Sequence, residues 1–432
     1  MKLRLLSLLL LAILLAGCIR PEGGAAIGGS DTQSQSFSFM VSGDTVEKAV
    51  YDELVAAFSK AHPEIKAEIV YIPDAGDYRK RLSADIAAGI PAEIVLLNYR
   101  RIAAYAAKDS FEPLDAYWAA SETIHKEDFY PQVVDAFRWQ GAQMCIPQNI
   151  SSPVVYYNKK IFDDAGVAYP AAGWTWDDFV ATAQAVTKDG DGDGKTDIYG
   201  VGTEASILRV APFVWMNGGT LFDNDAEPTK LALDTPEAKT ALQWFVDLQT
   251  KYQVAPDAVN EEAESSESRF LNGRLAMFLD SRRVVPTFRT ISDFDWDVAA
   301  LPLGKQAASV LHSDGFCITK ASQGKEAAWK FIEFATSSEG QIILAKTGRT
   351  VPSLKSVAES PAYLEPGAKP ANSQVWLDAI PAIRPLPILA NWPDIESTLN
   401  NEIAQAFTGG QSVDSAVENA QSKVQEFLNS DD

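Results

Sequence analysis

Cysteine, histidine and methionine are scarce here: three, three and five among 432 residues. His62, His125 and His312 stand far from one another and from Cys18, Cys145 and Cys317, so no Cys/His cluster has the spacing of a zinc site. Beyond the first seventeen residues no apolar run approaches the roughly 20 residues that a membrane-spanning helix needs. Positive charge is also in short supply, with 37 Lys and Arg against 58 Asp and Glu and a net charge of −21. Nucleic acid or an acidic substrate would be repelled as the main partner. Neither an internal repeat nor a glycoside-hydrolase motif is present.

What the chain does have begins at its N-terminus. Lys2 and Arg4 precede an almost wholly apolar Leu5–Leu15, followed by Leu14-Leu15-Ala16-Gly17-Cys18. A basic start, a short apolar run and small residues before a cleavage point read as a secretory signal. The Cys directly after Ala-Gly resembles a bacterial lipobox, whose thiol is lipidated before cleavage. That resemblance implies a signal peptide over 1–17, Cys18 as lipid attachment point, and an extracytoplasmic protein tethered to the cell membrane. Residues 18–36, rich in Gly, Ser, Ala and Gln, read as a flexible leader. In an exported chain Cys145 and Cys317 can close one disulfide or remain separate buried thiols. Spacing decides neither, because the Cα atoms must come within about 7 Å.

A hydrophobic content of 46% with ten Trp describes a folded chain. Its length suits two or three domains at roughly 150 residues each. From Phe37 strand and helix alternate: 37–41 and 65–72 read as strands, 46–61 and 78–89 as helices, and 93–97 as a buried strand. This order is that of an α/β layer with a parallel sheet. A second such region opens at Pro153-Val154-Val155-Tyr156-Tyr157. Helical spacing dominates afterwards, at 177–188, 206–217 and 236–252, and again at 325–335, 338–347, 394–407 and 412–429.

Pro147-Gln148-Asn149-Ile150-Ser151-Ser152-Pro153 leads into Val154-Val155-Tyr156-Tyr157-Asn158-Lys159-Lys160-Ile161-Phe162-Asp163-Asp164-Ala165-Gly166. This run resembles extracellular solute-binding family 1, the carbohydrate-capturing subunits of ABC importers that include maltose-binding protein. Trp174-Thr175-Trp176, Phe270-Leu271-Asn272-Gly273-Arg274-Leu275-Ala276-Met277, Trp296-Asp297-Val298 and Glu326-Ala327-Ala328-Trp329 follow in the family's order. The resemblance covers nearly all of 37–430. It implies an α/β fold of two discontinuous lobes of the periplasmic-binding-protein type, with a hinged ligand cleft between them. The first lobe is expected at 37–152 plus 277–321, the second at 153–276 plus 322–432. The implied protein is a monomer that hands its solute to membrane permease subunits and needs no cofactor, metal or catalytic group.

A saccharide offers C–H faces to aromatic rings and hydroxyls to Asp, Asn, Arg and Ser; an unpaired polar group in a closed cleft costs about 1–3 kcal/mol. Loops after the first-lobe strands carry such groups: Asp44, Asp74, Asn98, and Ser151-Ser152 at the first crossover. The same residue types cap helices, and family position is what favours Asp44, Asn98 and Ser151 as contacts. Trp392 matches a family position that stacks on sugar. Trp215, at a helix end, reads equally as a ligand platform or as core. In Asp280-Ser281-Arg282-Arg283 the pair Asp280 and Arg282 stands where the family shows a ligand-facing residue. Arg349 lies in a loop that reaches the family's cleft, and Ser313 at a strand edge beside it. Asp44, Asp74 and Asp280 together outweigh two Arg, which favours a neutral saccharide over an anionic one.

Asp189-Gly190-Asp191-Gly192-Asp193-Gly194-Lys195-Thr196-Asp197 resembles the start of an EF-hand loop, yet position twelve is Gly200 where the bidentate Glu should stand. It reads either as a structural calcium loop or as an acidic turn. Two other functions use the same features, a secreted carbohydrate-active hydrolase and a sugar sensor without transport. A hydrolase would need paired carboxylates about 5–10 Å apart.

Overall fold

The structure, a computed structural model, describes residues 35–430. Cys18, the signal segment and nearly all of the leader lie outside the described residues. Two sheets organise the chain. The first runs in the order Lys66–Ile72, Ser36–Ser42, Ile94–Asn98, Asp314–Ile318, Cys145–Pro147. Its first three strands are parallel, and Asp314–Ile318 lies antiparallel to both of its neighbours. The second runs Trp296–Ala299, Val154–Asn158, Leu275–Asp280, Tyr199–Gly202.

Central strands of both sheets are covered on both faces, which is why Ile94–Asn98, Val154–Asn158 and Leu275–Asp280 read as largely continuous apolar runs. In Ser36–Ser42, Phe37, Phe39 and Val41 pack against Leu54 and Phe58 of helix Thr45–Ala61 and Phe331 of helix Lys325–Thr336. Met40 points the other way, toward Tyr78 and Leu82 of helix Ala75–Ala87. In the second sheet Val155, Met277 and Leu279 face helices Ile207–Met216, Pro236–Thr250 and Trp392–Phe407. Among the described residues no helix is long and apolar enough to cross a membrane.

The lobe boundaries differ from those expected. Leu275–Asp280 pairs with Val154–Asn158, and Trp296–Ala299 pairs with the opposite edge of that strand, so 277–299 belongs with the second sheet. The chain returns to the first sheet only within 300–313. Helices Lys325–Thr336 and Ser338–Ala345, assigned from sequence to the second lobe, pack on the first sheet, where Phe331 sits 4.9 Å from Phe37 and 5.2 Å from Phe39. All six residues of Leu275–Asp280 are buried. A strand buried on both faces shows no alternation, and periodicity cannot say which sheet claims it.

Two crossings, at 148–153 and 300–313, join strands of the two sheets. A third crossing lies between Ser338–Ala345 and Trp392–Phe407, with Ile383–Arg384 paired to Ser309–Val310. The first two touch each other, with Ser151 and His312 exchanging backbone hydrogen bonds at 2.9 and 2.8 Å. Just beside this contact, Cys145 and Cys317 stand opposite one another on adjacent strands and are joined as a disulfide, with Cα atoms 4.2 Å apart. This decides the question that sequence spacing left open.

Candidate functional site

A cleft of about 600 Å³ opens where the strands of the first sheet end, beside the first two crossings. In open α/β sheets ligands bind at this end of the strands. Strand termination explains what lines it. Each of the first three strands runs directly or through one further residue into a helix N-cap, and the caps are Asp44, Asp74 and Asn98. Asp44 Oδ1 accepts from the amides of Val46 and Glu47 at 2.8 and 2.9 Å, while Glu47 reaches back to the Asp44 amide. Asn98 accepts from the Arg100 amide and donates to Asp314 at 3.1 Å. Asp44 and Asn98 line the cleft, as do Ser151, Ser313 and Arg349; Asp74 caps its helix between two lining residues, Pro73 and Ala75, without lining it itself.

The Ser313 hydroxyl donates to the Asn149 carbonyl at 2.6 Å, whereas the Ser151 hydroxyl is buried with no protein partner. The Ser152 hydroxyl is buried without a protein partner in the same way. Ser152 is fully buried away from the cleft, its carbonyl accepting from Trp376 Nε1 at 3.1 Å.

The remaining expected contacts do not reach this cleft. Trp392 is 0% exposed, packed into the second-sheet core with its ring 6.2 Å from Phe222. As first residue of helix Trp392–Phe407 it points inward on the face carrying Ile395 and Leu399. Trp215 is likewise core, on a helix that is buried almost throughout. Arg282 is 0% exposed and lies over the rings of Tyr363 and Trp376, at 4.4 and 4.9 Å. Its Nη1 donates to Ser373 and Nη2 to Glu365, which makes it a buried strut. Asp280 is buried behind the cleft. Arg209 Nη2 donates to its Oδ1 at 2.7 Å and Arg283 Nη2 to its Oδ2 at 2.5 Å.

Several lining groups were not singled out from sequence. Arg209 is the lone cation in the apolar helix Ile207–Met216, a signal that sequence does carry. Arg100, Glu47, Glu204, Glu267 and Asp314 also line the cleft, as does Arg283, the second Arg of the Asp280-Ser281-Arg282-Arg283 run already marked in the sequence. Every one of its four arginines is already held: Arg349 by Glu47 at 2.7 Å and Asp44 at 3.4 Å, Arg100 by Glu396, Arg209 by Asp280, and Arg283 by Asp280 and Glu267. Burial raises the Glu47 carboxyl to about 7 although Arg349 opposes the shift. Burial, reinforced by Arg209, Arg100 and Arg283, holds His312 well below its usual range. His312 is therefore neutral at pH 7, with Arg209 Nη1 3.4 Å from its Nε2. Among the described residues no indole lines this cleft, and Tyr51 and His312 supply its aromatic rings.

Asp189, Asp191 and Asp197 place exposed carboxylate oxygens within 4.8 Å of one another. Much of that oxygen already accepts loop amides, among them those of Gly190, Gly192 and Gly194. Gly200 lies inside strand Tyr199–Gly202, so the twelfth position of the pattern supplies no ligand.

The family description that fits is bacterial extracellular solute-binding protein, matching residues 42–342. The chain belongs to that family. Among its relatives, the mannitol-binding protein of Pseudomonas aeruginosa is 24% identical over 394 residues, covering 85% of this chain and 87% of the relative. The sn-glycerol-3-phosphate-binding periplasmic protein of Escherichia coli is 25% identical over 410 residues, covering 87% and 89%. An ABC substrate-binding protein from Listeria monocytogenes, solved in complex with cycloalternan, superposes with a TM-score of 0.83 at 26% identity, covering 91% of this chain and 98% of that one. Family membership and fold are those of two-lobed solute-binding proteins.

Proposed function

We propose that this protein is the lipid-anchored solute-binding subunit of an ABC importer, that it captures a neutral carbohydrate in the cleft, and that it passes the carbohydrate on without cleaving it. The relatives' solutes span a polyol, a polyol phosphate and a cyclic saccharide, which supports a hydroxyl-rich ligand and leaves its charge to be argued from this site. The observation that carries neutrality is the pairing of all four cleft arginines with carboxylates. With each guanidinium charge already offset by a carboxylate, a phosphate or uronate would find no uncompensated positive charge to bind, and it would also meet Asp44, Asp314 and Glu204. A hydroxyl can accept from one group and donate to another, so it fits mixed pairs and the idle Ser151 hydroxyl. Competition at low and high salt between a neutral oligosaccharide and its uronic-acid counterpart tests this. The neutral form should win at both; tighter binding of the uronate, falling steeply with salt, contradicts it.

Anchoring rests on Leu15-Ala16-Gly17-Cys18. Cys18→Ser should move the protein from the membrane to the soluble fraction, and a variant still wholly on membranes would remove Cys18 as the anchor. Closure of the two lobes over the crossings at 148–153 and 300–313 would present one surface to the permease only when the cleft is filled. Incubation with oligosaccharides should give a rise in melting temperature and no cleavage product.

A further inference from the structure

Behind the cleft lies a second chamber of about 500 Å³, built wholly from elements around the second sheet. Glu204, Arg209, Glu267 and Arg283 line both spaces, so the two adjoin along one row of side chains. The partition is Arg209 and Arg283, both held on the buried Asp280 carboxylate. We propose that the chamber is an additional subsite, that it receives one sugar unit of a neutral oligosaccharide whose remainder occupies the cleft, and that the natural solute is therefore an oligomer. This rests on the carbohydrate reading above and specifies its size class.

Two independent observations point to an occupant. Thr203 is 8% exposed and Arg209 5% exposed, both line the chamber, and the Thr203 hydroxyl and Arg209 Nε have no protein partner. Buried donors without partners are rare and costly unless something satisfies them. The walls match one chemistry. Phe278 and Phe407, buried at 4% and 5% exposure, give an apolar floor for a C–H face. Glu262 on the rim is exposed and stands free to accept hydroxyls. Its two cations are already paired with acids, which excludes an anionic unit as in the cleft.

The probes are the malto-, cello-, xylo- and manno-oligosaccharide series of one to five units, titrated calorimetrically against wild type, Ala404→Trp and Thr203→Val. Ala404 lines the chamber from helix Trp392–Phe407 and is only partly buried, so an indole there fills the space. In one series affinity should rise with added units. Ala404→Trp should remove at least fivefold of the gain for the longest member and leave the shortest binding member unchanged. Thr203→Val should weaken the longest member several-fold without lowering the melting temperature, because it deletes an unsatisfied hydroxyl. Equal affinity for one unit and five, or wild-type binding of the longest member by both variants, overturns the chamber and leaves the cleft intact. Absence of binding by every series overturns the carbohydrate reading and this inference together.

Discussion

Arg209 meets Asp280 at 2.7 Å with side chains 5% and 2% exposed, a buried ion pair between an otherwise apolar helix and the end of a central strand. Removing one partner of such a pair leaves an uncompensated charge out of water and costs about 3–5 kcal/mol. Asp280→Ala strands the buried Arg209, while the half-exposed Arg283 keeps Glu267 at 3.0 Å. Urea unfolding should show a loss in that range, and a loss under about 1 kcal/mol would mean that water already reaches the pair.

Glu47 gives a pH signature. Its carboxyl is raised from 4.5 to about 7 by burial, so between these values the native state holds a proton that the unfolded chain has released. Stability from this group is full below 4.5 and is lost as pH rises through about 7, with a slope of at most ~1.4 kcal/mol per pH unit. Denaturant midpoints measured from pH 4 to 8 should therefore fall less steeply for Glu47→Gln than for wild type. Parallel curves would place the native carboxyl near its ordinary value.

Trp392 reverses a sequence expectation, and the reversal is testable. A fully buried indole truncated to Ala should cost about 3–5 kcal/mol of stability. Trp392→Phe should keep the fold and bind saccharide within about twofold of wild type. A tenfold loss of affinity at unchanged stability would return the ring to the ligand.

The Cys145–Cys317 bridge ties strands whose residues are 172 apart in sequence. Reducing it, or making the Cys145→Ala, Cys317→Ala double variant, should lower stability by about 2–5 kcal/mol. An unchanged thermal midpoint would show that sheet pairing alone holds these strands.

The alternation of strands and helices was legible because amphipathic periodicity is local: expected helix 46–61 is Thr45–Ala61, and expected strand 65–72 is Lys66–Ile72. The placement of Asp44, Asn98, Ser151, Ser313 and Arg349 along the cleft was legible for another reason, since strand ends, the first crossing and a loop that reaches the cleft are positions that family resemblance transfers. Trp392 and Arg282 were not. Whether a Trp at a helix start faces a cleft or a core depends on helix rotation, and whether an Arg is free depends on Tyr363, Trp376 and Glu365, more than eighty residues away in sequence. Glu47 shows the same limit, because it reads as an ordinary capping-box residue until Arg349 is folded beside it.

The most direct measurement is calorimetric titration of the neutral saccharide series into wild type and Leu208→Trp, which puts an indole where half-buried Leu208 now lines the cleft. The expected result is one site per chain for at least one saccharide, recovered uncleaved, with affinity lowered at least tenfold by Leu208→Trp while the melting temperature of the free protein holds. Saccharide binding indifferent to that substitution, or conversion of the saccharide to product, would contradict capture in this cleft.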